Sequence, residues 1–461
     1  MKPTRRHVLA GLSAIAVAPG CRGGKTDEEA LDSADTASAP TPEREPEPEP
    51  WSPDPVLDEG AFPLGVQVGD PDADGVVIIA WTSEPVVGVM LAQGEDGVWV
   101  APEPTPVIDT DALVPVDGRV QLTLTGLRPD AVYSICFTSE DLLRRSRVTR
   151  FRTALGPGDW RVLTLAATSC LGTPGRPWTS MSYAAAADPD AFLLLGDTVY
   201  ANGAYTTDQF LAYYRNALGV EGLSEASAHS ALVAIWDDHE LINNFAGEAS
   251  NPGLYAEALA AFRQAIPQRI GPGGNGLWRS LSWGPVAELI MMDCRSERQG
   301  EDQYISSEQM EWVKSTLLAS SARFKLILNS VPITDYSPMF GSTYDEDRWQ
   351  GFPEQREEIL SFIEEEGIEG VVWITGDFHM GVLSRVDPAG GLADSRWEIM
   401  VGPAGSTLNV LATLYENPEQ FPVMFAQYNS ALLRLDPGLG TIVVTYLGDD
   451  GTVLAEQTVE V

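Results

Sequence analysis

The stretch "FLLLGDTVY", Phe192 to Tyr200, is an apolar run that breaks abruptly into a glycine, an aspartate and a tyrosine. It reads as a buried strand with polar groups gathered at its carboxyl end. Four other stretches repeat the pattern: "VLTLAATSC" ends at Cys170, "VAIWDDHE" carries Asp237, Asp238 and His239, "KLILNSVP" carries Asn329, and "VVWITGDFHMG" carries Asp377 and His379. Taken singly, a Gly-Asp after a strand is ordinary turn chemistry. Five such ends, separated by helical stretches such as "TTDQFLAYYRNAL", "SEQMEWVKSTLLA" and "PEQREEILSFIEEEG", imply an α/β sheet with its working loops at the carboxyl ends of the strands.

The residue types at those ends point to cations. Carboxylate oxygens suit hard ions, and phenolate or thiolate suits ferric iron. The chain has only four histidines, His7, His229, His239 and His379, and His7 lies in the leader. A zinc site of three or four imidazoles is therefore excluded by inventory. A carboxylate-rich site with Cys170 and Tyr200 remains, holding calcium or another hard ion beside iron.

The rest of the chain frames this region. At 461 residues it has length for two or more domains, and 66 acidic against 29 basic residues leave a formal charge of −37. Such a surface repels polyphosphate backbones, so no nucleic-acid partner is expected. Residues 1–21 read as an export signal, with the twin arginine Arg5-Arg6, a short apolar stretch and Gly20-Cys21. Gly20-Cys21 resembles a lipoprotein cleavage site, which would anchor the protein through Cys21; simple secretion is the other reading. Removing Cys21 leaves Cys136, Cys170 and Cys294, an odd number, so a disulfide framework is not what holds the fold. Residues 22–57, acidic and proline-rich, read as a solvated tether. From 58 to 154 the runs "GVVIIAWTS", "VVGVMLAQ", "GVWVAP", "RVQLTLTGL", "AVYSICFTS" and "RVTRFRTAL" alternate with period two between turns, the reading for an immunoglobulin- or fibronectin-like β-sandwich. Cys136 belongs to its core. "GPGDW" reads as the boundary, and residues 158–461 as the α/β domain, closing on a hairpin at Asp449-Asp450-Gly451.

Gly196-Asp197-x-x-Tyr200 resembles the element by which purple acid phosphatases place a bridging aspartate and an iron-binding tyrosine. Asp238-His239-Glu240 is similar to the Asn-His-Glu of metallophosphoesterases, and Gly376-Asp377-Phe378-His379 to their Gly-His-x-His. These replacements, with Ser169-Cys170 in place of Asp-x-His, resemble the alkaline phosphatase D (PhoD-like) family. "FPLGVQVGDPDADGVVIIAWT" and "RSLSWGPVAELIMMDCRS" look like that family's N-terminal and middle segments, so the similarity covers nearly all of the chain after the tether. The resemblance implies a four-layer α/β/β/α sandwich behind the β-sandwich domain. It implies iron on Cys170, Asp197, Tyr200 and His379, with Asp197 bridging to calcium held by Asp238 and Asp377, and Asp237 as a further candidate. Two cations about 4 Å apart would activate water and clamp a phosphoryl group. His239 would then steady the transition state or protonate the leaving group, or else act only as a hydrogen bonder behind the ligands. Phosphate-ester small molecules are the implied substrates, and a monomer is expected.

Three readings stay open beside this one: a phospholipase D-like hydrolase of the same fold, a non-catalytic envelope protein with a decayed phosphatase domain, and a calcium-binding structural protein. Thr198, Val199 and Ala201 depart from the family's usual residues around the Gly-Asp-x-x-Tyr element. Asn329 is either a weak metal ligand or a turn cap. Arg295 is read as an ion-pair partner for Asp293 or another acid, Arg279 and Arg348 are undecided, and Trp236 and Trp373 are read as core.

Overall fold

The computed structural model describes residues 48–461 apart from 173, 275, 301, 337–338, 340–346, 411–414 and 416. The signal segment 1–21 and tether residues 22–47 lie outside the described residues, as does most of the stretch 337–346. Among the described residues no helix is long and apolar enough to cross a membrane.

The end of the tether stretch is anchored to the fold although most of its side chains are exposed. Pro53 and Pro55 are buried, Val56–Leu57 pairs in parallel with Arg144–Arg145, and the Val56 N–H donates to the Leu143 carbonyl at 3.0 Å. Prolines lack a donor but carry apolar surface, so composition alone misplaces the point where packing begins.

All six strands expected between 58 and 154 form: Gly75–Trp81, Val87–Glu95, Val98–Val100, Arg119–Thr125, Val132–Ser139 and Thr149–Arg152. They do not make a sandwich separate from the catalytic region. Val87–Glu95, Val98–Val100, Val132–Ser139 and Thr149–Arg152 belong to a six-stranded sheet. Gly75–Trp81 and Arg119–Thr125 instead join Val66–Gly69, which pairs in parallel with Leu232–Ile235 and so extends the catalytic sheet. Period-two alternation says which face of a strand is buried but not which strand lies at its edge. Gly69 permits this join, because a Cβ there would meet the Pro267 carbonyl oxygen at 2.2 Å. The apolar faces of the two sheets still meet in one core, with Val68, Ile78 and Leu122 against Tyr133, Ile135 and Phe137.

The nine-stranded sheet thus formed holds Leu163–Thr168, Ala191–Leu195 and Leu232–Ile235 as adjacent parallel strands. A second sheet of seven strands holds Ala287–Met291, Phe324–Leu328, Val371–Thr375 and Trp397–Met400, also parallel. Leu165, Leu193 and Val233 of the first sheet share a core with Leu289, Leu326 and Ile374 of the second. The outer face of the first (Phe192, Leu194, Ala234) packs on the helices Thr179–Ala185, Thr207–Leu218, Glu221–His229 and Pro252–Ala265. The outer face of the second (Ile290, Ile327, Trp373) packs on Ser307–Ala319 and Pro353–Glu365. Both faces of each central strand are therefore dry, which is why these strands read as unbroken apolar runs. Their hydrogen-bonding groups and polar side chains emerge only at the ends. Cys136, Cys170 and Cys294 are all free and buried.

Candidate metal centre

Four of the expected ligands sit where the chain turns out of a strand in left-handed backbone: Cys170 (φ 53°), Asp197 (φ 55°), Asp377 (φ 68°) and His379 (φ 57°). Each such non-glycine residue costs of order 1 kcal/mol or more, and such strain collects at functional sites. Gly196 makes the approach possible, since a Cβ there would meet the Asp237 Cβ at 2.5 Å.

The turns converge on Asp197. The Cys170 sulfur, an Asp197 oxygen and a His379 nitrogen all lie within 4.8 Å of one another, and an Asp197 oxygen shares a second such group with Asp238 and His239. The Tyr200 hydroxyl completes the first group, donating to Asp197 Oδ2 at 2.8 Å and lying 3.2 Å from His379 Nε2. Asp197 is thus common to both groups, one with sulfur, phenol and imidazole, the other rich in carboxylate. Asp377 shares the neighbouring wall with His379, lining a cleft of about 410 Å³ with Arg348, Phe378 and Thr407.

The electrostatics are those of a site made for positive charge. Burial, then the nearby Asp238 and Asp237, push the Asp197 carboxyl well above its ordinary range. Burial and Asp197 do the same to the Cys170 thiol and the Tyr200 phenol. Burial lowers His379 to about 4, so its imidazole is neutral and available as a donor atom. Asp238 Oδ1 is buried with no hydrogen-bond partner among the described residues. A buried acid with an orphaned oxygen costs several kcal/mol unless a cation meets it. Sulfur, phenol, imidazole and carboxylate are donors that could hold a transition-metal ion, and the carboxylates beyond Asp197 could hold a hard divalent ion.

A family model for the PhoD-like phosphatases matches residues 165–436, which include every one of these groups. The chain belongs to the PhoD-like phosphatase family. Alkaline phosphatase D of Bacillus subtilis (strain 168) is 26% identical over 388 residues, a match spanning 70% of this chain and 65% of that relative's own length. The solved structure of PhoD superposes with a TM-score of 0.71 at 21% identity, covering 86% of this chain and 89% of that one. A purple acid phosphatase from yellow lupin (Lupinus luteus) seeds gives 0.62 at 14% identity, covering 86% and 74%. These structural likenesses are likenesses of fold.

Within this PhoD-like site several residues take roles that the sequence left open or misassigned. Asp237 is taken up by other partners: both its oxygens accept from Arg295 (2.5 and 3.0 Å), and Ser330 Oγ donates to it at 2.8 Å. A carboxylate fully occupied by a guanidinium is a poor ligand, so it leaves the candidate set. Arg295 is fully buried and also pairs with Asp347, while Asp293 accepts only its backbone N–H. Arg279 holds Asp70 in a buried two-pronged pair at 2.6 and 2.7 Å, far from any ligand role. The Arg348 guanidinium stacks over Phe378 at 5.2 Å on the cleft wall. Asn329 is buried beside Cys294, which donates to its Oδ1, and its Nδ2 has no partner among the described residues. Trp236 and Trp373 are core, the former donating to Asp293 at 3.1 Å.

Sequence reasoning missed three supports. The buried Glu240 carboxylate accepts the N–H groups of Asp197, Thr198 and Asp237 at 3.1, 2.7 and 2.9 Å, tying two strand ends together. The loop after Trp397–Met400 crowns the site: Ser406 N–H donates to the Cys170 carbonyl, Asn409 N–H to the His379 carbonyl, and Thr407 Oγ1 lies 3.1 Å from His379 Nδ1. The Asn202 amide lies against His239 Nδ1 and accepts the Asn243 N–H. "WEIMVGPAGSTLN", residues 397–409, is a sixth apolar run breaking into glycine, and that signal was legible.

Proposed function

We propose that the protein is an exported, metal-dependent phosphoesterase acting on phosphomonoesters, phosphodiesters or both. The observation that carries this reading is Asp197, a buried carboxylate common to a sulfur-phenol-imidazole group and a carboxylate group, with an orphaned Asp238 oxygen alongside. Iron on Cys170, Asp197, Tyr200 and His379, and calcium on Asp197, Asp238 and Asp377, fit these donors. Bound there, the cations would neutralise the phosphoryl oxygens and lower the pKa of an attacking water. The chain's own residues do the rest. Glu240 holds the Asp197 and Asp237 backbones in place. Phe378, Leu408 and Thr407 wall the cleft that receives the ester. His239, its ring stacked on Tyr200 at 3.9 Å between centroids, is the candidate proton donor to the leaving group. The twin-arginine leader, the Cys21 anchor, the tether that follows it and a monomeric state belong to the same proposal, resting on sequence.

The test is elemental analysis of natively purified protein, with p-nitrophenyl phosphate and its bis ester assayed on the same sample. One iron per chain and calcium-dependent hydrolysis that Asp197→Ala abolishes are the expected result. No iron, and no hydrolysis after iron and calcium are supplied, would overturn it.

A further inference from the structure

We infer that the cleft beside the metal centre selects esters of neutral, hydroxyl-bearing alcohols, and that Asn243, Asn244 and Asn409 set this selectivity. The inference rests on the phosphoesterase reading above and names the leaving group of that same site.

The three asparagines line the cleft together with Asp377 and His379. Their backbones are committed to the site. The Asn243 N–H donates to Asn202 Oδ1 at 2.8 Å, the Asn244 N–H to Asp238 Oδ2, and the Asn409 N–H to the His379 carbonyl at 3.0 Å. Their side chains are not. Among the described residues the Asn243 and Asn244 amides bond only each other, at 2.8 Å. Two amides joined by one such bond leave a carbonyl oxygen on one residue and an NH₂ on the other, whichever way the pair is turned. The Asn409 amide has no protein partner among the described residues. A hydroxyl group both donates and accepts, so it can answer such donor and acceptor pairs, whereas a bare alkyl chain answers neither.

The rest of the wall disfavours other leaving groups. Among the described residues Arg348 is the one arginine or lysine lining the cleft, and it is fully buried over Phe378. Asp347 already pairs with Arg295 and Arg298. A leaving group with its own negative charge therefore meets no exposed cation, on a chain whose formal charge is −37. The rings beside the ligands are engaged as well: Phe378 stacks on Tyr336 at 5.3 Å, and Tyr200 on His239 at 3.9 Å. Phe378 and Leu408 are the only apolar residues among those lining the cleft.

The test compares glycerol 1-phosphate with propyl phosphate on the metal-loaded full-length protein and on Asn243→Ala, Asn244→Gly and Asn409→Ala. The asparagines are exposed or half-buried, and glycine keeps the left-handed backbone of Asn244 (φ 55°) that carries its N–H to Asp238. Leaving-group acidity is the same in every variant, so the change in the ratio of kcat/KM values reads recognition alone. Each substitution should cost glycerol 1-phosphate about 5-fold more than propyl phosphate, and Asn244→Gly with Asn409→Ala about 25-fold more. An unmoved ratio would overturn the inference and leave the phosphoesterase reading intact. A wild-type protein inactive on every ester would sink that reading instead. In that event calorimetry with 3,4-dihydroxybutylphosphonate and butylphosphonate, which cannot be hydrolysed, decides the selectivity. Binding at least about 5-fold tighter for the hydroxylated compound, lost in Asn244→Gly, sustains it. Equal binding, or none, ends it.

Discussion

Asp70 and Asp197 look interchangeable in the sequence. Each follows a glycine at the end of an apolar strand, each has a left-handed φ (42° and 55°), and each is almost fully buried (0% and 1% exposed). Their strands lie in the same sheet, separated only by Leu232–Ile235. Yet Asp70 is closed off by Arg279 and by the Arg269 N–H at 2.6 Å, whereas Asp197 faces Asp238, Asp237, Glu240 and Asp377. No guanidinium pairs with Asp197 among the described residues. One Gly-Asp is a rivet between the N-terminal strands and the catalytic sheet; the other is the proposed socket for cations. A buried acid needs positive charge, and what supplies it decides whether the acid is structural or functional.

The largest effect that could break this contrast is at the socket. Asp197→Ala removes the carboxylate shared by both ligand groups. Phosphoester hydrolysis should fall by about 10³-fold or more, with iron and calcium content falling together. The metal-free variant should melt no lower than metal-free wild type, since an uncompensated buried acid has gone. Retention of both metals would end the comparison.

At the rivet the sign reverses. Asp70→Asn leaves Arg279 buried without its counter-charge, for a stability loss of about 3–5 kcal/mol, with metal content and turnover per folded molecule preserved. Chemical denaturation alongside metal analysis reads both quantities. A smaller effect divides neighbours in sequence. Asp237→Asn, which loosens the pair with Arg295, should lower stability and keep the metals. Asp238→Asn should weaken divalent binding about 10-fold or more with little change in metal-free stability.

The smallest effect is a slope. Glu240 is raised from 4.5 to about 8, chiefly by burial, and Asp197 and Asp377 are raised as well. Groups raised in the folded state hold protons that the unfolded chain has released, so stability is present at acid pH and lost as pH rises through the folded values. The melting temperature of metal-free protein should therefore drop by several degrees between pH 5 and pH 8. Loading with iron and calcium should flatten the slope, because cations replace the protons. An unchanged slope on loading would show that these acids are not the ligands.

Much of the architecture was legible because burial on both faces leaves a plain mark. Only dry strands read as unbroken runs such as "FLLLG" and "VVWITG", and the helices at Thr207–Leu218, Ser307–Ala319 and Pro353–Glu365 fall where their stretches were read. The candidate ligands were legible for a related reason: acids, a thiol and a phenol at the ends of such strands cannot avoid one another. The separate sandwich was misread because edge pairing between Val66–Gly69 and Leu232–Ile235 joins residues some 160 positions apart and needs only backbone groups, which every sequence has.

The amino-acid sequence by itself therefore determined the alternation of strand and helix and the set of side chains offered at the strand ends, since hydrophobic period and residue chemistry are local properties. Only the tertiary structure decided which acids are spoken for. Asp70 and Asp237 are quenched by Arg279 and Arg295, which lie 209 and 58 residues away along the chain, while Asp197 and Asp238 have no such partner among the described residues. Charge compensation and hydrogen-bond direction are set by distances of about 3 Å between groups remote in sequence, and no local pattern encodes them.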